Sequence, residues 1–323
     1  MSDAPSTPVP RLPLIDARVR LSDGPGVVHG VQPSEMAVLH AFVGETDELP
    51  RSYSAADYLA ESAACDVQGV VLHESLAVAG LRGGRRRDSL LPGSSVPVAV
   101  VAQVDFLDRG LEEQLEAYRS LPNIAGVCER LGWDANDRRR RFARRPDLLG
   151  DAGWRQGLES LRQHDFRCEL EVFSPQLPEL LELVRLHPET GFTLAAIGWP
   201  LDLGSNGFAR WKQDIGRLAR CDNVRADISS IECIFGPAWT VEEVGPWVLS
   251  LIDHFSPERC MIGSHMPFAR LSGGFDSFYA RLRRIVADFS ADEQDLLFRR
   301  VAADWFHLPL RPTRTDAAAA TRA

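Results

Sequence analysis

Eight short apolar runs, rich in β-branched residues, recur along the chain, and helical patterns separate almost every neighbouring pair. They lie at 12–17 (LPLIDA), 68–74 (QGVVLHE), 97–104 (PVAVVAQV), 123–129 (NIAGVCE), 167–173 (RCELEVF), 191–196 (GFTLAA), 223–229 (NVRADIS) and 259–263 (RCMIG). Each is too short for a helix and most have polar, Pro or Gly boundaries, so they read as strands. Stretches between them, such as 110–121, 178–187, 208–220 and 241–255, read as helices. The region 75–96 looks more like a loop than a helix. Strict strand–helix alternation requires parallel strands joined by crossovers. At 323 residues, closing eight such units into a ring pairs every strand edge. A doubly wound open sheet is the alternative, but no G-x-G-x-x-G turn follows an early strand. The expected fold is α/β, a single-domain (β/α)8 TIM barrel over 11–310, with a flexible leader at 1–10 and a disordered tail at 311–323.

Composition narrows the setting. A formal net charge of −9 argues against a general nucleic-acid partner, which would carry a basic surface. Six cysteines without a C-x-x-C spacing fit reduced thiols in a cytoplasmic protein. No basic start followed by an apolar core marks a signal peptide, and no run of about 18 apolar residues marks a membrane span. The Arg- and Ala-rich composition is compatible with a high-GC bacterium and with specialised metabolism.

In such a barrel, chemistry belongs at the C-terminal strand ends. Those ends are Asp16–Arg20, His73–Glu74, Cys128–Arg130, Glu169–Phe173, Ala196, Asp227 and Ser264–Ala269. Several pieces recur in a recognisable order: I-D-A-x-V-x-L at 15–21, Y-S-A-A-D-Y-L-A at 53–60, and G-V-V-L-H-E-S at 69–75. Further along come E-V-F-S-P-Q-L-P at 171–178, I-G-W-P at 197–200, R-C-M-I-G-S-x-x-P at 259–267 and A-A-D-W-F-H-L at 302–308. Their order and spacing resemble the amidohydrolase-2 branch of the amidohydrolase superfamily, from about Leu12 to Leu308.

That resemblance implies a metal-dependent hydrolase whose first strand ends in H-x-H, two imidazoles on one strand face. The matching positions here are Arg18 and Arg20, whose protonated guanidiniums offer no lone pair. The family's sixth-strand His is matched by Ala196 and its eighth-strand Asp by His265, while a related branch's acid, four residues on, is matched by Ala269. The resemblance therefore implies a divergent member in which the family's metal ligands are replaced, with no metal and no cofactor expected.

Two roles are open for Arg18 and Arg20. They form a salt-bridge network with acids such as Asp16, Glu74, Glu129, Glu171 or Asp227, or they bind a substrate carboxylate or phosphate through arginine's fork geometry. His265 suits a general acid or base, and equally a hydrogen-bonded residue in a retired pocket. Glu169 and Glu171 alternate with Cys168, Leu170 and Val172, which places both acids inside the barrel with Glu171 nearer the mouth. His73 reads as a core imidazole or a mouth residue, and Glu129 could join the acids. A rebuilt metal site from His73, His265, Glu129 and Glu171 is opposed by the adjacent arginines. The six arginines of 138–145 and the three of 85–87 form either solvated loops or lids over an anion. No nucleophilic thiol is indicated, and Cys128 is the cysteine nearest the mouth.

The reading that results is an enzyme acting without a divalent metal on a small anionic metabolite by acid–base catalysis. Hydrolysis, decarboxylation, isomerisation and cyclisation all remain open. Its catalytic residues would be His265, Glu171 and Asp227, and its substrate-binding residues Arg18, Arg20, His73 and Glu129. The alternatives are a non-catalytic copy serving as partner subunit or binding protein, and a metal hydrolase with a relocated site. Expected partners are the small anionic substrate and, in assembly, a second copy or a related subunit, with no nucleic acid and no membrane.

Overall fold

A computed structural model of the chain describes residues 13–21, 33–44, 49–74 and 94–311. Its strands are β1 (Pro13–Val19), β2 (Asp66–Glu74), β3 (Val98–Gln103), β4 (Ile124–Arg130), β5 (Arg167–Glu171), β6 (Phe192–Leu194), β7 (Val224–Ile228) and β8 (Cys260–Ile262). Each falls on an expected run. They form one sheet in the order β1 to β8, every neighbouring pair parallel. Helices lie between the neighbouring strands, as in a (β/α)8 barrel, except between β2 and β3, whose connection lies mostly outside the described residues. The leader at 1–10, most of the tail and Arg85–Arg87 lie outside the described residues.

The ring closes just beyond β8. His265 N–H donates to the Arg18 carbonyl at 2.8 Å, and Arg20 N–H donates to the Met266 carbonyl at 2.8 Å. Asp16 staples the same seam from outside the barrel. It accepts the Ser264 backbone N–H at 2.7 Å, the Ser264 hydroxyl at 2.6 Å and the Tyr58 hydroxyl at 3.1 Å. Gly263 permits the close approach, because a Cβ there would lie 2.5 Å from the Arg18 nitrogen.

Period-two alternation divides the strand residues into two cores. The outward set, including Leu14, Val70, Leu72, Val100, Leu170 and Ile262, packs against the helices. The inward set, including Ile15, Ala17, Val71, Val101, Ala125 and Met261, fills the lower barrel. The C-terminal helix (Val301–Trp305) and the residues after it plug that end, burying Trp305, Phe306 and Leu308. Trp305 donates its indole N–H to Thr193 Oγ1 at 2.9 Å, and the guanidiniums of Arg167 and Arg225 stack over its ring. Residues 291–305 form two short α segments joined by a π-helical turn, Leu296–Arg300. In that turn Arg299 is buried and paired bidentately with Asp295, at 2.6 and 2.8 Å. With the lower end filled, polar chemistry is confined to the opposite end, where the strands finish.

Among the described residues no helix is long and apolar enough to cross a membrane. All six cysteines are thiols.

Candidate active site

Arg18 reaches the barrel axis through an irregularity. The β1–β2 register shifts between Asp16 and Val19, so after the inward Ala17 the chain turns Arg18 inward as well. The guanidinium is fully buried. Its Nε donates to Asp227 Oδ2 at 2.7 Å and its Nη2 lies 2.7 Å from Glu169 Oε1. Asp227 also accepts the Ser229 hydroxyl at 2.6 Å, and His73 Nδ1 stands 3.4 Å from the Glu169 oxygen that meets Arg18. Burial alone would raise the Glu169 carboxyl, but Arg18 and His73 beside it hold it well below the usual range. Arg18 is thus tied into an ion-pair network, the first of the two roles expected for it, and the expected catalytic Asp227 is its counter-ion. His73 Nε2 lies 3.2 Å from the Ala17 carbonyl, so His73 belongs to this layer rather than to a substrate surface.

The layer above is arranged differently. Glu171 stands among three guanidiniums: Arg18 and Arg20 each at 3.9 Å, and Arg130 at 3.8 Å. All three separations exceed hydrogen-bond length. On the far side of Arg20, its Nε donates to His265 Nε2 at 3.4 Å, while His265 Nδ1 meets Glu232 Oε1 at 2.5 Å. Glu232 lies in the short helix after β7 (Ile231–Phe235), which Ser230 enters in a left-handed conformation. The His265 ring is stacked on Phe268, with centroids 4.8 Å apart.

These contacts fix the tautomer. A guanidinium N–H always donates, so Nε2 carries a lone pair and the ring proton sits on Nδ1, facing Glu232. Burial and then the positive charges of Arg20, Arg18 and Arg130 hold the imidazole well below its ordinary value, so it is neutral. Burial pushes the Glu232 carboxyl up to about 8. His265 is therefore a neutral imidazole whose basic nitrogen faces the arginine layer.

Two expected residues need correction. Glu129 points out of the barrel, because the inward positions of β4 are Ala125 and Cys128, and an outward neighbour follows Cys128. It accepts the Trp154 indole N–H at 2.8 Å and the Phe106 backbone N–H at 3.3 Å in the helical layer. The acid that meets the His265 ring is Glu232, rather than Glu171 or Asp227. Sequence reasoning missed Glu232. The available signal was its place in the loop after the seventh strand. Arg130 stood among the strand-end positions without a role. Burial pushes the Cys128 thiol up to about 12, which leaves it no thiolate character at neutral pH.

The residues do not fit the divalent metal that the resemblance implies. At the H-x-H positions stand two guanidiniums, and Arg18 itself spans the inner acids Asp227 and Glu169. Glu232, Cys233 and His265 bring three ligand types within 4.8 Å of one another. Yet the nitrogen His265 offers there is Nδ1, which bears the proton while Nε2 accepts from Arg20, so an ion would have to break that hydrogen bond and reverse the tautomer.

An aromatic wall rises beside the arginines. The helix after β1 (Pro33–Val43) reaches across the mouth, and the Phe42 ring meets those of Phe173 and Trp199 at 5.5 and 5.2 Å. Phe142 joins at 5.9 Å from Phe173 and 6.0 Å from Trp199, and the Arg130 guanidinium lies 5.6 Å from its ring. The arginines of 138–145 are mostly consumed locally: Arg139 pairs with Asp137, Arg144 with Asp105, and Arg145 with Asp147 and Asp151. Arg140 is the exception that touches the cover, donating to the Ala41 carbonyl and lying over Phe42.

A parallel eight-stranded barrel with its charged groups gathered at the C-terminal strand ends is the architecture of barrel enzymes. The amidohydrolase family model matches residues 73–308, and the chain belongs to that family. An uncharacterized protein of Sinorhizobium fredii, y4mH, is 26% identical over 212 residues, 66% of this chain and 70% of that protein. An L-fucono-1,5-lactonase of Burkholderia multivorans is 24% identical over 271 residues, 79% of this chain and 88% of the relative. Among solved structures, a zinc-bound amidohydrolase of Burkholderia multivorans superposes with a TM-score of 0.74 at 20% identity, covering 92% of this chain and all of that one.

Proposed function

We propose that the protein hydrolyses a small anionic lactone without a divalent metal, using His265 as the proton-transfer group. The observation that carries this reading is the neutral His265 ring held between Glu232 at 2.5 Å and Arg20 at 3.4 Å. A base needs a lone pair and a partner that steadies the cation it becomes: Nε2 carries the lone pair, which Arg20 gives up to the attacking water, and Glu232 is the partner. The lactonase among the relatives favours a ring ester as the substrate class.

The step balances with water as the only co-reactant. Nε2 takes a proton from water as the water oxygen bonds to the lactone carbonyl carbon. The carbonyl π electrons move to oxygen, where Arg20 and Arg130 stabilise the charge. Collapse breaks the ring C–O bond, and the imidazolium returns its proton to the departing alkoxide. The same arginines hold the substrate's carboxylate, and Arg18 with Glu169 and Asp227 forms the rigid floor. Six unpaired thiols favour a reducing compartment, and we place the protein in the cytoplasm.

The test is turnover of a panel of sugar lactones and carboxylated lactones by the full-length protein in the presence of a chelator. Turnover that survives the chelator and falls at least about 100-fold in His265→Gln supports the reading. Turnover that requires added zinc, or that persists in His265→Gln, overturns it. Binding of these lactones with no turnover would mark a non-catalytic copy instead.

A further inference from the structure

The end of β6 carries no acid, base or hydroxyl: Ala195, Ala196, Ile197 and Gly198 are followed by Trp199. The backbone here is unusual. Ala196, Ile197, Gly198 and Trp199 have φ of 49, 50, 74 and 34°, four consecutive left-handed residues of which one is glycine. Such conformations persist where the surroundings over-determine them, and they cluster at ligand sites. This turn is held at several points. Gly198 N–H donates to the Ala195 carbonyl and Trp199 N–H to the Ala196 carbonyl, each at 2.8 Å. The Trp211 indole donates to the Ile197 carbonyl at 2.8 Å, and Ser174 N–H to the Trp199 carbonyl at 3.0 Å. The bonds fold the chain back so that the Trp199 ring joins Phe42, Phe142 and Phe173 beside Arg130.

The Trp199 side chain is buried, and its indole N–H has no hydrogen-bond partner among the described residues. Buried indoles normally donate. Trp154, Trp211 and Trp305 do so, to Glu129, the Ile197 carbonyl and Thr193. Trp239 shares the orphan N–H, but it lies in the outer helical layer beneath Arg281 and against Phe278.

We propose that Trp199 is a specificity-determining residue of the mouth: its indole N–H donates to an oxygen of the bound substrate ring and selects lactones over carbocycles of the same shape. The proposal rests on the lactone reading above. The left-handed turn places the donor, Phe42, Phe142 and Phe173 pack against the indole and fix its orientation, and the Arg130 guanidinium lies 5.6 Å from the Phe142 ring to take the carboxylate.

The test compares two flat two-ring carboxylates by titration calorimetry, coumarin-3-carboxylate, which has a lactone carbonyl, and 2-naphthoate, which has none. Full-length wild type, Trp199→Phe and the control Trp239→Phe are used, with melting temperatures recorded. Wild type and Trp239→Phe should bind the coumarin about tenfold more tightly than the naphthoate, the scale of one net hydrogen bond. Trp199→Phe should bind both equally, at the naphthoate level, with its melting temperature unchanged or raised. A preference that survives in Trp199→Phe, or a wild type that shows none or binds neither probe, overturns the proposal. Failure of the lactonase reading is separable: the Trp199-dependent preference would remain while no lactone in the turnover panel is opened. Conversely, lactone turnover with a preference indifferent to Trp199 would sink this inference alone.

Discussion

His265 and Glu232 meet at 2.5 Å between Nδ1 and Oε1, from loops that leave β8 and β7 and 33 positions apart in the chain. With Arg20 on the opposite ring nitrogen, the contact sets the imidazole's orientation, tautomer and charge together. In the proposed reaction a carboxylate at Glu232 would steady the imidazolium formed by proton transfer, and a neutral acid would do so far less.

The pH profile follows from that difference. Burial raises Glu232 to about 8, so its carboxylate form, and with it kcat/KM, should increase as pH rises through that value and then level off. Glu232→Gln should flatten the rise and lower the plateau by roughly 10- to 100-fold. A pH–rate series on wild type and variant checks this. An identical rise in the variant would exclude Glu232 from the step.

Removing Arg18 strands two acids. In Arg18→Met, Asp227 and Glu169 lose a partner that stands 2.7 Å from each inside a buried layer. Stability should fall by about 3–5 kcal/mol, the usual cost of breaking a buried pair from one side. Arg18→Lys should recover only part of it, since a single ammonium lacks the fork that bridges both acids. Denaturant unfolding of the three proteins measures the difference.

Stability should depend on pH in the opposite sense to ordinary acid denaturation. Burial raises Asp16 to about 6 and Glu129 to about 7, so both fold more readily when protonated. Their contribution is complete below the unfolded values near 4 and is lost as pH climbs through 6 and 7, roughly 3 kcal/mol for each group. Glu169 is depressed and acts the other way, losing its contribution only in strong acid. The melting temperature should therefore peak near pH 4, and Glu129→Gln should flatten the fall between about pH 5 and 7. A monotonic climb in melting temperature from pH 5 to 8 would contradict the assignment.

Gly263→Ala should disrupt the seam. Its new Cβ would lie 2.5 Å from the Arg18 nitrogen and 2.6 Å from the Arg18 Cβ, and neither backbone can yield freely. A loss of at least about 3 kcal/mol is expected, at the upper end of overpacking costs. Circular dichroism melting of the variant reads it directly.

The barrel was legible in the sequence because a two-residue period and helical spacers are local signals. The same period correctly turned Glu169 and Glu171 inward on β5, where Leu170 and Cys168 mark the outer face. It failed on β1. There, alternation from Ile15 and Ala17 sends Arg18 outward beside Asp16, and only the register shift reverses it. The resemblance to H-x-H, rather than the alternation, placed Arg18 correctly. Glu129 was misplaced by one residue at a strand end, because β4 has apolar residues on both faces and hydrophobicity does not say which is inside. Glu232 and Trp199 were given no role for another reason. Each is aimed by non-glycine left-handed backbone, at Ser230 and at Ala196–Trp199, and such turns leave no periodic trace.

The seam that closes the ring also joins residues far apart in the chain. Arg18 lies on β1, yet its counter-ion Asp227 follows 209 positions later in the chain. Ser264, which staples Asp16, comes later still. A chain that stops before β8 has Glu169 and Asp227 for Arg18, but it lacks the Ser264 donors that staple Asp16 and the backbone that pairs with the free edge of β1. Closure of the ring therefore depends on residues at opposite ends of the barrel's strand order, and without the segment after β8 the first strand would remain an open sheet edge.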